Sequence, residues 1–347
     1  MAYTDATLRF PGKGTVTYPA DEKLTPRELG VDESGILYLD SVPMPAPLDF
    51  SYLPFRWKGE LGERLWAVKV DNPIQYVVIP KILDGKRYLI LQARNEMEGT
   101  VTVTAPMHYQ GRYCAKKGEE LLCLPIPEEA PDIFEIALTV QGTKGGVSHF
   151  STKTGIAVAK PYGTPWEECP ACFVNSKEHC GGFGNNRPYP GPEVFSGKAQ
   201  FQWDEKFLYL RAEIVDAIHI APPSGAMMYR SDCICINFDP ELARDHTHHG
   251  KGFLIGFPKE GPEVFSGGRK WESAHLTMEE TPTGRIVLAC LPWEAFGVHP
   301  ESGLHMGMSF SFLNDEGAGL MDNLNWPAPP NENRMGQNRD KGMICLE

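Results

Sequence analysis

The sequence predicts an all-β protein built from two β-sandwich domains. The 347-residue chain contains 35 glycines and 30 prolines, more than the roughly 12% that these two residues make up in average proteins. They are scattered rather than periodic, which is typical of many short strands joined by turns. Stretches of alternating apolar and polar residues recur between them, and a chain of this length accommodates about two domains.

Residues 1–160 are predicted to form the first sandwich, a domain of unknown role that we interpret as a scaffold or partner domain. Its strongest local pattern is Asp84-Gly85, a dipeptide typical of two-residue hairpin turns. Strands are predicted at 35–40, 65–71, 76–82, 87–92, 100–104, 120–124 and 133–141. These are enough for one sandwich.

Three stretches of this first domain are expected to lack strands. Residues 1–34 are predicted to be irregular apart from a helical start at Thr25–Glu28, where a capping residue precedes proline. The prolines of residues 41–55 indicate a loop, and Tyr109 and Tyr113 are expected to lie in another. No catalytic pattern occurs in this half of the chain.

The second domain is predicted at residues 161–347, after the proline- and glycine-containing stretch Lys160–Trp166. The most regular alternation is in the strand predicted at 232–239, where every second side chain is expected to face the core. The remaining side chains, Cys233, Cys235 and Asn237, are expected to face a groove, solvent or the partner domain. Strands are predicted at 199–203, 207–215, 232–239, 252–257, 274–277, 285–291 and 306–313.

Composition limits the classes of partner and compartment. The net charge of −12 argues against nucleic-acid binding, which needs a basic surface. No apolar run reaches the roughly 18–20 residues that span a bilayer, so no membrane segment is expected. The N-terminus lacks a signal-peptide profile, which predicts a cytoplasmic protein, or an extracellular one if a signal peptide was trimmed. The nine cysteines, an odd number, favour reduced thiols over a disulfide framework.

Two metal sites are predicted from ligand chemistry. Thiolates spaced as C-x2-C can hold zinc, and the zinc candidates are Cys169, Cys172, His179 and Cys180. The alternative is free or partly buried thiols, because the second ligand pair of common zinc motifs is missing. Calcium prefers carboxylate and carbonyl oxygens, and the calcium candidates are Asn314, Asp315, Glu316 and Asp322. The alternative here is a solvated acidic loop. No motif indicates an organic cofactor.

Four blocks of the second domain resemble the family 9 carbohydrate-binding modules and the related DOMON-like domains. The blocks are Trp203–Asp216, Asp232–Asp239, the run that ends at Trp293, and Asn314–Gly317 before Trp326. They follow the order of the family within residues 165–347. The resemblance implies a jelly-roll-like β-sandwich with calcium in its loops, which binds glycans and is usually appended to a larger enzyme.

The resemblance also implies a site in which two tryptophans grip a terminal sugar. Tyr229 matches one aromatic position, whereas Cys235 stands at a family glutamate and no aromatic residue matches the second tryptophan, near residues 333–335. The ligand-binding residues expected in this chain are Tyr229, Trp326, Asn331, Asn333 and Arg334.

These observations favour a glycan-binding protein without its own catalysis. Its ligand is expected to be an oligo- or polysaccharide, and its partner an enzyme or a second copy of the chain. The alternative is a glycoside hydrolase or polysaccharide lyase with its site between the two domains, motivated by the missing family ligands and by long loops at 164–196 and 314–340. The acidic residues available for that role are Glu213, Asp216, Asp232 and Asp239.

Overall fold

The computed structural model describes residues 7–10, 13–18, 27–29, 36–38, 50–71, 76–93, 97–103, 109–116, 119–127, 133–142, 147–181, 188–240, 251–315, 321–327 and 342–347. Most of these residues lie in β-strands, so the predicted all-β class is confirmed. Backbone contacts group the chain into two compact units. One comprises Met1–Val78, Ile90–Cys123 and Ile136–Thr152, and the other Ile79–Leu89, Leu124–Glu135 and Lys153–Glu347. None of the helices in these ranges has the length and apolar character needed to cross a membrane.

The strands are numbered along the chain. Those before residue 143 are β1 Thr7–Arg9, β2 Gly14–Tyr18, β3 Arg27–Leu29, β4 Ile36–Tyr38, β5 Phe50–Gly59, β6 Gly62–Asp71, β7 Tyr76–Leu83, β8 Lys86–Ala93, β9 Met97–Val103, β10 Tyr109–Ala115, β11 Glu120–Pro125 and β12 Ile133–Gly142. Those after it are β13 Val147–Pro161, β14 Ala171–Val174, β15 Cys180–Gly181, β16 Ser196–Trp203, β17 Phe207–Val215, β18 Cys233–Asp239, β19 Lys251–Gly256, β20 Glu263–Ser266, β21 Arg269–Lys270, β22 His275–Thr281, β23 Gly284–Pro292, β24 His305–Asp315, β25 Met321–Trp326 and β26 Gly342–Leu346. A short α-helix, α1, is Trp293–Phe296, and 3-10 helices lie at Trp166–Glu168, Lys177–His179 and Gly225–Arg230.

The first unit contains a four-stranded antiparallel sheet with the order β3-β2-β5-β6. Its buried side chains include the cross-strand partners Val16 and Trp57. The loop predicted at 41–55 is wrong from residue 50 onward, because β5 begins there. Proline is tolerated at Pro54 because β2 pairs only with residues 56–59, so this part of β5 needs no amide donor on that side.

Three other local predictions for this half are wrong. Residues 1–34, expected to lack strands, contain β1, β2 and β3. Arg27 and Glu28, expected at a helix start, lie in β3 and pair with β2. Tyr109 and Tyr113, expected in a loop, lie in β10, which pairs with β9 over its whole length. In each case pairing with a neighbouring strand outweighs the local preference, since strand stability depends on cross-strand contacts.

The hairpin predicted at Asp84-Gly85 is confirmed. Both residues have positive φ angles, 49° and 72°, as the type I′ turn between paired strands requires. The turn joins β7 to β8, and β11 completes a three-stranded sheet in the order β11-β8-β7.

Two sheet layers make up most of the second unit. The first layer has the order β22-β23-β17-β16, with β14 and β13 both beside β16. The second has the order β20-β19-β18-β24, with β25 and β26 both beside β24. A parallel pairing of β13 with β26 connects the layers along one edge.

An aromatic core holds the two layers together. Phe201 of the first layer lies 6.4 Å from Phe310 of the second, between ring centroids. Gly197 allows close approach, because a Cβ atom there would lie 2.4 Å from the ring of Phe312. Strand β17 has the bounds predicted for it, and its side chains alternate between buried and half-buried along the whole strand.

Candidate functional site

Strand alternation gives the second layer an inner and an outer face. Inner side chains such as Ile236 and Phe310 are buried in the core. The opposite side chains of β18, β24 and β25, which we call the outer face, are Cys233, Cys235, Asn237, Ser309, Ser311, Leu313, Asn323 and Asn325. Most of them are polar. The strand register places Cys235, Ser311 and Asn325 in one row across the three strands.

A short chain of polar side chains crosses this outer face. The hydroxyl of Ser311 donates a hydrogen bond to Oδ1 of Asn325, and Nδ2 of Asn325 donates to Oδ1 of Asn323 over 3.4 Å. All three residues are buried. Nδ2 of Asn323 is a buried donor that lacks an acceptor among the described residues. An unpaired buried donor is costly, so this amide is the one group of the polar chain whose bonding the described residues do not complete.

The 3-10 helix Gly225–Arg230 forms the rim of the outer face. Its first residue, Gly225, donates its amide to Oε1 of Glu263 over 3.1 Å, which fixes the helix to β20. Tyr229 is 40% exposed. The Arg230 guanidinium carbon lies 6.0 Å from the centroid of that ring. The predicted ligand residue Tyr229 is therefore placed at the surface, with a ring available for contact.

The connection that carries Tyr229 is held by buried charges. Nη1 of Arg285 donates to Oδ2 of Asp216 over 2.6 Å, and its Nη2 lies 3.4 Å from Oδ2 of Asp232. Burial raises the pKa of the Asp216 carboxyl, while the charge and hydrogen bond of Arg285 act in the opposite direction. These residues, the aspartate–arginine cluster, join the end of β17 to the start of β18.

Backbone amides also donate hydrogen bonds to the Asp232 carboxylate. Its Oδ1 accepts the amide of Asp315 over 2.7 Å, and its Oδ2 accepts the amide of Ile220 over 2.8 Å. Nδ1 of His219 lies 3.2 Å from the same Oδ2. The hydroxyl of Ser231 donates to the carbonyl of Ile220 over 3.1 Å. Both ends of the connection 217–231 are thus fixed.

Three of the four acidic residues considered for hydrolysis have the structural partners described here, and the fourth, Asp239, is buried at the end of β18. Asp216 and Asp232 share Arg285, as described above. Glu213 is hydrogen-bonded by Arg211, and Nζ of Lys198 lies 3.1 Å from it. Burial alone would raise the pKa of Glu213, but these two cations lower it below its usual value. The pairing of Glu213 is that of a structural ion pair, and the enzyme alternative stays a prediction.

The structure splits the predicted calcium ligands between two faces. Asn314 pairs with Asp322 across β24 and β25, so their side chains share one side, whereas Asp315 points to the other. The Asp315 carboxylate accepts a hydrogen bond from Ser231 over 3.4 Å. No group of three His, Cys, Asp or Glu residues that can hold a metal ion occurs in the described ranges. Glu316 lies outside them, so calcium binding with its help stays a prediction.

The structure does not bring the four predicted zinc ligands together, and zinc binding stays a prediction. Cys172 belongs to the core. The Cys169 thiol donates to the carbonyl of Pro165 and accepts the amide of Gln202, over 3.5 and 3.4 Å. Nδ1 of His179 lies 3.0 Å from the Ser176 hydroxyl, and Cys180 starts β15. These residues form no metal-binding group, because β14 directs Cys172 inward.

The expectation that Trp326 offers a ring to sugar is also wrong. The residue is 0% exposed, and its ring stacks on that of Phe310 with centroids 5.6 Å apart. Strand β25 alternates strictly, so Trp326 shares the inner face with Leu324 while the neighbouring amides face outward. The other predicted ligand residues, Asn331, Asn333 and Arg334, lie outside the described residues.

Comparison with known proteins agrees with this architecture. A family model described as carbohydrate family 9 binding domain-like matches residues 189–343. The chain contains a CBM9-like domain. None of the curated proteins matches the sequence.

Among solved structures, two of a family 9 module (CBM9) from Caldicellulosiruptor kristjanssonii, in complex with cellotriose and with glucose, are similar to the chain. Each is 16% identical with a TM-score of 0.42, and the matches cover 55% of this chain and 93% and 95% of those chains. A putative carbohydrate-binding protein from Bacteroides uniformis ATCC 8492 is 12% identical with a TM-score of 0.39, covering 55% of this chain and 98% of that one.

Within the CBM9-like domain, sequence reasoning missed the polar residues of the outer face. Ser311, Asn323 and Asn325 were not among the expected site residues. The pattern that identifies them is period-two alternation: in residues 321–326 the apolar Leu324 and Trp326 share one phase and the two asparagines share the other. Treating this segment as a loop concealed that phase.

Proposed function

We propose that this protein binds carbohydrate, and that the CBM9-like domain does so on its outer face. The observation that carries the proposal is the family match over residues 189–343, whose second layer has a polar outer face. Ordinary sandwich strands need polar residues only where they meet water. Here Ser311, Asn323 and Asn325 are polar yet buried, so a sugar that contacts them displaces the groups that shield them.

The chemistry of the face fits a hydroxyl-rich, uncharged ligand. Amide side chains both donate and accept hydrogen bonds, which matches the paired donor and acceptor character of sugar hydroxyls. The ring of Tyr229, at the rim, can pack against the apolar face of a sugar. Asn331, Asn333 and Arg334 remain proposed contributors, whereas Trp326 is proposed only as core support beneath the amides.

Calorimetric titration of the full chain tests this function. Cellotriose and glucose, the ligands named for the Caldicellulosiruptor structures, are the first probes, followed by a glycan array. We expect binding, and we expect Asn325→Ala and Tyr229→Ala each to weaken it by about tenfold, the loss from one ligand-facing hydrogen bond or ring contact.

The control is Phe173→Ala, because Phe173 is an exposed residue of β14 in the other layer. It should leave affinity unchanged. Melting curves of all variants separate lost binding from lost folding. A chain that binds no glycan on the array, or whose Phe173→Ala and Asn325→Ala variants bind equally well, contradicts the proposal.

A further inference from the structure

Three sulfur-containing side chains meet on the outer face, beside the polar groups of β24 and β25. Cys233 and Cys235 are alternate residues of β18 and point to the same side. Met228 packs with them and with Leu313 in one cluster. Its Sδ lies 2.9 Å from the position that a Cβ atom on Gly256 would take.

The strand register places the first thiol opposite Gly256, the residue that the thioether approaches. Ile234 pairs with Ile255, so the preceding residue, Cys233, lies opposite Gly256 on the outer side. Opposite Cβ positions in such a ladder are about 5 Å apart. The Sδ of Met228, next to the Gly256 position, therefore lies on the same side of the sheet as Cys233, with which Met228 packs.

The spacing of the two thiols suits a bridging ion better than a disulfide. Alternate residues of a strand are about 6.6 Å apart, whereas a disulfide needs Cβ atoms within about 4.5 Å of each other. Both thiols are free. The Cys235 thiol is hydrogen-bonded to the Asn237 side chain. Because metal–thiolate bonds are about 2.3 Å long, both sulfurs can reach one ion held between them once this thiol turns toward Cys233.

We propose that Cys233, Cys235 and Met228 bind one copper(I) ion. Thiolate and thioether are soft ligands, and this combination selects copper(I) over harder cations that require oxygen. Leu254, Leu313 and Phe265 surround the sulfurs with apolar groups, which exclude water and with it the oxidation of copper(I). The half-buried Cys235 is the point of entry, since Cys233 and Met228 are buried.

Binding requires that each thiol release its proton to solvent as its sulfur–copper bond forms. The site lies on the same outer face as the groups proposed to bind carbohydrate, but its ligands are different side chains from Tyr229, Ser311, Asn323 and Asn325.

Anaerobic titration of the full chain with copper(I), against a chromophoric copper(I) chelator, tests the proposal. The wild-type chain should take up one equivalent that Cys233→Ser/Cys235→Ser does not. X-ray absorption of the loaded protein should show sulfur ligands only. Met228→Leu keeps an apolar side chain of similar size and should weaken binding by about tenfold or more, with one sulfur fewer around copper.

Two controls keep the test decisive even if the double variant misfolds. Cys290→Ser removes a half-buried thiol from the other layer and should change neither stoichiometry nor affinity. In the wild-type chain, copper(I) should protect Cys235 from iodoacetamide while the exposed Cys123 is still labelled. Unchanged labelling of Cys235, or equal copper affinity in wild type and Met228→Leu, overturns the proposal.

Discussion

Some single residues of this protein join segments that are far apart in the sequence, and His305 is an example. Its Nδ1 donates to the carbonyl of Gly303 over 2.7 Å, since a carbonyl can only accept. Its Nε2 then accepts the amide of Ile82 over 2.9 Å. The ring must be neutral for both bonds to form. No local pattern could predict this pair, because 223 positions separate Ile82 from His305.

The neutral state of His305 predicts a pH dependence of stability. Burial lowers its pKa, as does the nearby charge of Lys81. A histidine with a lowered pKa binds its proton more tightly in the unfolded chain, so its contribution to stability is lost as the pH falls below the unfolded value of about 6.5. We expect His305→Gln to flatten the decline in urea-unfolding free energy between about pH 7 and 5.

The exposed His299 provides the control for this prediction. His299→Gln should leave the pH profile as it is in the wild type. A profile that is identical for wild type and His305→Gln would show that the two hydrogen bonds do not depend on the neutral ring.

At the scale of strands and loops, the connection 217–231 depends on the aspartate–arginine cluster. Arg285→Met should destabilise the chain by about 3–5 kcal/mol, because it leaves Asp216 and Asp232 buried without their cation. The matched control is Arg211→Met, which breaks a partly exposed ion pair with Glu213 and should cost about 0.2–1 kcal/mol. Denaturant melts measure both. Equal losses in the two variants would mean that the buried cluster is no more important than a surface ion pair.

A repeated heptapeptide shows where local sequence stops determining structure. Gly-Pro-Glu-Val-Phe-Ser-Gly occurs at 191–197 and at 261–267. In the first copy a turn leads into β16, and the phenylalanine, Phe195, is buried while Val194 is exposed. In the second copy the same residues form β20, where Val264 enters the core and Phe265 faces outward. The neighbouring strands, and not the seven residues themselves, therefore determine which side chains of the heptapeptide are buried.

The elements that the sequence predicts well are those with strict alternation or strong turn chemistry. Strand β17 has its predicted bounds, and the turn at Asp84-Gly85 has the positive φ angles expected of it. The prediction was wrong where proline or many polar groups outweighed the pattern, as in β5 and β25. In both cases the backbone pairs with a neighbouring strand, and this pairing stabilises the extended conformation against the local preference.

For the whole molecule, the sequence predicts the fold more fully than it predicts the site. The core of the CBM9-like domain depends on apolar residues at period two, and these are visible in the sequence. The outer face depends on which strands pair so that Cys235, Ser311 and Asn325 fall in one row. This proximity depends on the order in which the strands pair, and the alternation within a single strand does not reveal that order.

The most direct test of the account is to map the sugar on the CBM9-like domain by NMR. Backbone amides and asparagine side-chain NH2 groups of the full chain are followed during titration with the best glycan from the array. We predict shifts concentrated at Asn323, Asn325 and the 3-10 helix Gly225–Arg230. Shifts confined to the outer side of the first layer, at β16 and β17, would contradict the central claim that the outer face of the second layer binds carbohydrate.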